Sequence, residues 1–128
     1  MIIPSDKIYI GKSPIGERGV FARVAIKKNE VVEVAPYIII GDEDASGELI
    51  HYEFGHEAGK NLFCLGYGSM YNHAKNPNIE YRYANSELPN CLEFVATKDI
   101  KKDEESFISY GEEWWGTRDK KIIDNINI

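Results

Sequence analysis

Apolar residues cluster in a succession of short β-like runs: "KIYIG", "GVFARV", "EVVEVAPYIII", "LFCLG", "NIEYRY", "CLEFVATKDI" and "SFISYG", separated by Gly, Asn, Asp and Pro. Such runs bounded by turn residues predict strands, and so many of them predict a mostly β fold of small sheets. Helical spacing is scarcer. In "GELIHYEFGHEAG", residues 47–59, Leu49, Tyr52 and Glu53 suggest one short helix, and the stretch after Gly111 suggests a second, terminal one. The acidic run "GDEDASGE", residues 41–48, reads as a solvated loop; with Glu112 and Glu113 it would instead form a rim for a basic peptide.

One internal similarity adds to this pattern. "VAIKKNEVV" (24–32) and "TKDIKKDEES" (97–106) share an Ile-Lys-Lys-(Asn/Asp)-Glu core between strand-like flanks. Each predicts a strand entering a turn whose tightest residue is Asn29 or Asp103, side chains that tolerate a left-handed backbone. Two such units imply pseudo-symmetric β pieces.

Length and composition narrow the classes. At 128 residues the chain fits one domain with one core, 1–128, with its motifs between about Lys7 and Trp115 and a tail over 116–128. No apolar run reaches the roughly 18 residues of a membrane span, and "MIIPSDK" lacks the features of a secretory signal. The expectation is a soluble intracellular protein. A net charge of -6 argues against general nucleic-acid binding, which needs cations to displace counterions, and favours a basic partner. Cys64 and Cys91 belong to no CxxC pair, so two buried reduced thiols are expected.

Standard catalytic constellations find little support. His51 and His56 are five apart, not on one helical face as an HExxH metal site requires, so no metal site is expected. Ser69 follows a Gly in "LGYGSMYNH" but lacks the Gly-x-Ser-x-Gly elbow of a hydrolase. "GERG" (16–19) has too few glycines for a phosphate loop or a dinucleotide fingerprint. Rings remain: Tyr52, Tyr67, Tyr71, Tyr81, Tyr83, Tyr110, Trp114 and Trp115. Each alone reads as core; together they would suit a narrow channel whose aromatic faces hold alkylated cations such as ammonium or sulfonium groups.

Three segments in order, "SPIGERGVFARVAIKKNEVV", "YNHAKNPN" and "DEESFISYG", resemble the SET domain of protein-lysine methyltransferases. The forms "SPxG", "NHxxxPN" and "ISYG" are most similar to the small stand-alone SET proteins of large DNA viruses. The resemblance implies a β-clip fold of several small, mostly antiparallel sheets, with a C-terminal pseudoknot that threads the segment ending in Tyr110 past Asn72 and His73. It implies transfer of a methyl group from S-adenosylmethionine to a lysine ε-amine, with Tyr110 catalytic. Gly16, Arg18, Gly19, Asn72, His73 and Trp115 would then bind the cofactor, while Tyr52, Tyr67 and Ile108 would line the substrate channel. The implied partner is a basic lysine-containing segment such as a histone tail, and a homodimer would complete the peptide groove by analogy. A host nucleus becomes the setting if the chain is of viral or secreted origin.

Some positions depart from the family pattern. Glu17 stands where the turn usually has its first Gly, Ser69 where many relatives have Arg, and Lys75 where a Cys is common. No cysteine follows Tyr110, so the channel is expected to close without zinc. Glu17 and Ser69 keep open a rival reading, a SET-like module that binds a basic peptide without catalysis. A methyltransferase for a non-histone protein is the third reading.

Overall fold

The computed structural model describes residues 4–41, 52–57, 60–84 and 89–109, and their regular structure is all strand. The strands are β1 (Ile8–Gly11), β2 (Gly19–Ala22), β3 (Val31–Gly41), β4 (Glu53–Glu57), β5 (Lys60–Cys64), β6 (Asn72–His73), β7 (Ile79–Tyr83), β8 (Cys91–Ala96) and β9 (Glu105–Ile108). Apart from β4 and β6, each lies on one of the short apolar runs that predict strands.

β4 corrects the first expected helix. The described part of residues 47–59 pairs antiparallel with β5, setting Phe54 against Leu62, and Phe54 is buried by that pairing. Local helical spacing is a weak preference that a cross-strand partner overrides. The second expected helix, after Gly111, lies outside the described residues. β6 is only two residues long, too short for any periodicity to announce it.

Two sheets result. The larger has the order β4-β5-β3-β8-β7 and is antiparallel throughout; the smaller runs β1-β2-β9-β6. In the smaller one β9 lies antiparallel to β2 and parallel to β6. Ile26, Val32, Leu62, Tyr71, Ile79, Leu92, Phe94, Ile100 and Ile108 are fully buried between them.

The repeated turns are related by a local two-fold, as their sequences predict. Ile26 and Ile100 form an antiparallel bridge, each N–H donating to the other's carbonyl at 2.8 Å. Asn29 N–H donates to Ala96 O, and Asp103 N–H to Ala22 O. Glu30 and Glu104 each accept the N–H of the residue three before, Lys27 and Lys101, at 2.9 Å. Asn29 (φ 75) and Asp103 (φ 67) take the left-handed conformation expected of them. The second turn delivers the chain into β9 beside β2, and that placement builds the site.

Candidate functional site

Gly19, Asn72 and Glu105 each open a strand, and because β2, β9 and β6 are neighbours, these three residues meet. Glu105 is their hub. Its Oε1 accepts from Ser13 Oγ at 2.8 Å and its Oε2 from Asn72 Nδ2 at 2.8 Å. Asn72 Nδ2 also donates to Arg18 O at 3.0 Å, so both its amide hydrogens are committed and Oδ1 remains. Gly19 is required by space, its φ not being positive: a Cβ there would overlap Glu105 Oε2 and stand 2.9 Å from Asn72 Nδ2. Glu17 has no left-handed angle either, so a side chain in place of the usual Gly introduces no backbone strain.

The facing wall is the segment from Leu65 to Tyr71, fastened to β3 through Glu33. Tyr67 N–H donates to Glu33 Oε2 at 2.9 Å and Tyr71 OH to Glu33 Oε1 at 3.0 Å. Gly66 (φ +61) makes the turn that permits this. The Tyr71 ring stacks on Phe94 at 4.7 Å, and Ser69 Oγ donates to Cys64 O at 2.9 Å or Tyr52 O at 3.1 Å. Burial pushes the Glu33 carboxyl above its ordinary range, and pushes the Cys64 thiol up to about 12. Cys64 and Cys91 are both buried free thiols.

Between these walls lies a pocket of about 240 Å³ lined by Glu17, Arg18, Tyr52, Ser69, Met70, Tyr71 and Asn72. Arg18 Nε rests 3.3 Å from Met70 Sδ. A cation, a carboxylate, a thioether and aromatic rings thus surround one small space beside the start of β9.

The sequence model of the SET domain matches residues 17–111, which takes in both walls of this pocket. The chain belongs to the SET domain family. Its fold is correspondingly close to solved SET structures. A crystal structure from Plasmodium falciparum, of a protein inferred to be a histone methyltransferase, is 40% identical with a TM-score of 0.72, over 89% of this chain and 99% of that one. A Schizosaccharomyces pombe histone-lysine N-methyltransferase, H3 lysine-37 specific, is 32% identical over 103 residues, 77% of this chain and 69% of that protein. A chain of the Chaetomium thermophilum Polycomb Repressive Complex 2 shares the fold at 24% identity and a TM-score of 0.70, over 84% of this chain and 15% of that one.

Within this SET domain the residues singled out from sequence fall into three groups. Arg18, Asn72 and Tyr52 line the pocket, and Gly16 and Gly19 belong to the turn beside it, Gly16 with its Cβ position 3.4 Å from Asn72 Oδ1. His73, Ile108 and Tyr67 stand behind or beside it: His73 pairs with Ile108 across β6 and β9, Ile108 is buried in the core, and Tyr67 is exposed on the neighbouring loop. Tyr110 and Trp115 lie outside the described residues. Sequence reasoning assigned no role to Ser13, Glu33, Met70 or Glu105, and had Tyr71 only as one ring of a possible aromatic channel. Glu33 had one legible signal, a charge amid the apolar run "VVEVA".

His73 is buried, and desolvation lowers its pKa below the usual 6.5. Between that lowered value and about 6.5 the unfolded chain binds more protons than the folded one, so stability rises with pH through this window and is lost as pH falls through it. Glu33, raised above 4.5, acts oppositely: the folded chain holds the extra proton, and stability falls as pH rises through its own window. Urea titrations between pH 5.5 and 8 are expected to show stability dropping as pH falls through 6.5, with a shallower drop in His73→Gln. An unchanged slope in the variant would assign the dependence to other groups.

Proposed function

We propose that this SET domain is an S-adenosylmethionine-dependent protein-lysine N-methyltransferase that acts on a histone tail. The observation that carries the reading is the convergence of the Glu17–Gly19 turn and the Ser69–Asn72 segment on one pocket at the start of β9, the strand that leads to Tyr110. The residues present fit the cofactor. Arg18 offers a cation to its carboxylate; Glu17 and Asn72 Oδ1 offer acceptors to its ammonium; Tyr52 and Met70 offer soft, polarizable surface. When bound, the cofactor supplies a methyl group on a sulfonium.

The protein's own tasks are to hold, dry and orient. A lysine with an ordinary pKa of about 10.4 must lose its proton before its nitrogen can attack, and a narrow apolar channel favours the neutral amine. Tyr52, Tyr67 and Ile108 are proposed for that channel, Tyr110 to orient the amine, and Trp115 to pack on adenine. Gly16 and Gly19 let the turn approach the ligand, and His73 supports it through β6. The S. pombe relative's name supports a histone substrate, and with it a nuclear setting.

Transfer of labelled methyl from S-adenosylmethionine to histones is the test, with lysate proteins as a second substrate pool. Tyr110→Phe is expected to reduce labelling roughly a hundredfold through lost positioning. Equal labelling by wild type and variant would remove Tyr110 from its role. Labelling confined to lysate proteins would point to a non-histone substrate. The binding-module reading is weakened by the structure, since Ser69 is hydrogen-bonded and Glu17 unstrained. It would return if calorimetry showed no cofactor binding at all.

A further inference from the structure

Two carboxylates are buried behind the pocket's walls, and among the described residues neither forms an ion pair. Glu105 is 8% exposed, and its hydrogen bonds come from the Ser13 hydroxyl and the Asn72 amide. Glu33 is 9% exposed, and its hydrogen bonds come from the Tyr67 backbone and the Tyr71 hydroxyl. The described ion pairs, Lys7–Glu30 and Arg82–Glu93, involve neither. All four donors are neutral, so they solvate the negative charge without cancelling it. Unbalanced charge in a protein interior is costly, and such a cost is tolerated where a ligand supplies the counter-charge.

Both carboxylates reach the pocket through a single residue of its lining. Asn72 joins Glu105 to the pocket and Tyr71 joins Glu33 to it, and these two are consecutive in the chain. The charged residues at the mouth, Glu17 and Arg18, are opposite in sign and exposed, so water screens both. The buried carboxylates are screened less, so when ionised they turn the field inside negative.

We propose that Glu33 and Glu105 make this pocket selective for a cationic ligand, so that it holds the sulfonium form of the cofactor more tightly than the neutral thioether left after methyl transfer. This rests on the cofactor reading above and deepens it. The two ligands differ in one methyl group and one unit of charge, which makes the charge the discriminating feature. At an effective dielectric of about 20, a carboxylate within about 12 Å of a cation changes that cation's affinity roughly tenfold or more and leaves a neutral ligand's nearly unchanged. The consequence for turnover is that charge loss on transfer weakens the product's hold and helps it leave.

Calorimetry at pH 8 with S-adenosylmethionine and S-adenosylhomocysteine tests this on the full chain. Glu105→Gln and Glu33→Gln keep side-chain size and an acceptor oxygen while removing the charge. Each is expected to lower the ratio of sulfonium to thioether affinity roughly tenfold, with the thioether affinity changed by less than threefold. A merely structural role would weaken both ligands together and leave the ratio intact, and that result would overturn the proposal. Sinefungin, which carries an ammonium in place of the sulfonium, is expected to follow S-adenosylmethionine. If the wild-type protein bound none of the three ligands, the cofactor reading itself would fail; binding of all three with an unmoved ratio would sink only the selectivity. Should one variant not fold, the other carries the same comparison.

Discussion

Asn78→Ala is expected to lower the unfolding free energy by about 2–4 kcal/mol, because it leaves a buried carbonyl and a partly buried N–H without their partner. Asn78 is buried just ahead of β7, and its side chain completes the hydrogen bonding of β9. Nδ2 donates to Glu105 O at 3.0 Å, and Oδ1 accepts Phe107 N–H at 2.7 Å. An amide side chain with one donor end and one acceptor end copies what a neighbouring strand would offer. Alanine offers neither. The loss should extend beyond stability, since β9 also carries Glu105 and leads to Tyr110, so cofactor affinity should fall with it. Urea titration and calorimetry on the same preparation check both effects. A cost under about 1 kcal/mol would mean that water reaches Phe107 N–H and Glu105 O once the amide is gone.

Gly19→Ala is expected to weaken cofactor binding at least tenfold and to cost about 1–3 kcal/mol of stability, the range for a buried polar group losing its partner. The added methyl would overlap Glu105 Oε2 and crowd Asn72 Nδ2. Side-chain ends can usually yield, but this carboxylate is held on one side by Ser13 and on the other by Asn72. Moving it breaks the hub that aligns the turn, β6 and β9. Gly16→Ala is the control: its methyl would meet Asn72 Oδ1 at 3.4 Å, an ordinary contact, and stability should hardly change. Equal behaviour of the two variants would show that Glu105 swings aside freely.

Much of the fold can be read from short apolar runs between turn residues. β1, β2, β3, β5, β7, β8 and β9 lie on such runs, and the paired Lys-Lys turns carry their own symmetry in Asn29 and Asp103. β4 could not be read this way. Its Phe54 finds its environment in Leu62 and in the rings of Tyr81 and Phe94, which are distant in sequence. β6 could not either, since its two residues are strand only because β9 passes beside them. The site divides along the same line. Arg18, Gly19 and Asn72 stand in recognisable motifs, whereas Tyr71 is one ring among eight and Met70 carries no signal in the sequence, yet both line the pocket.

The chain's sequence by itself determined the strand-rich architecture, the two equivalent turns and the family, because short apolar runs, left-handed turn residues and motifs are local properties written in consecutive positions. Only the tertiary structure decided what Glu33 and Glu105 do. A glutamate in a strand carries no mark of whether it meets water, a cation or a tyrosine hydroxyl. That depends on which strands become neighbours: β9 beside β6 delivers Glu105 to Asn72, and the Leu65–Tyr71 segment crossing β3 covers Glu33. Burial of both carboxylates follows from those crossings, and the electrostatic character of the pocket follows from burial.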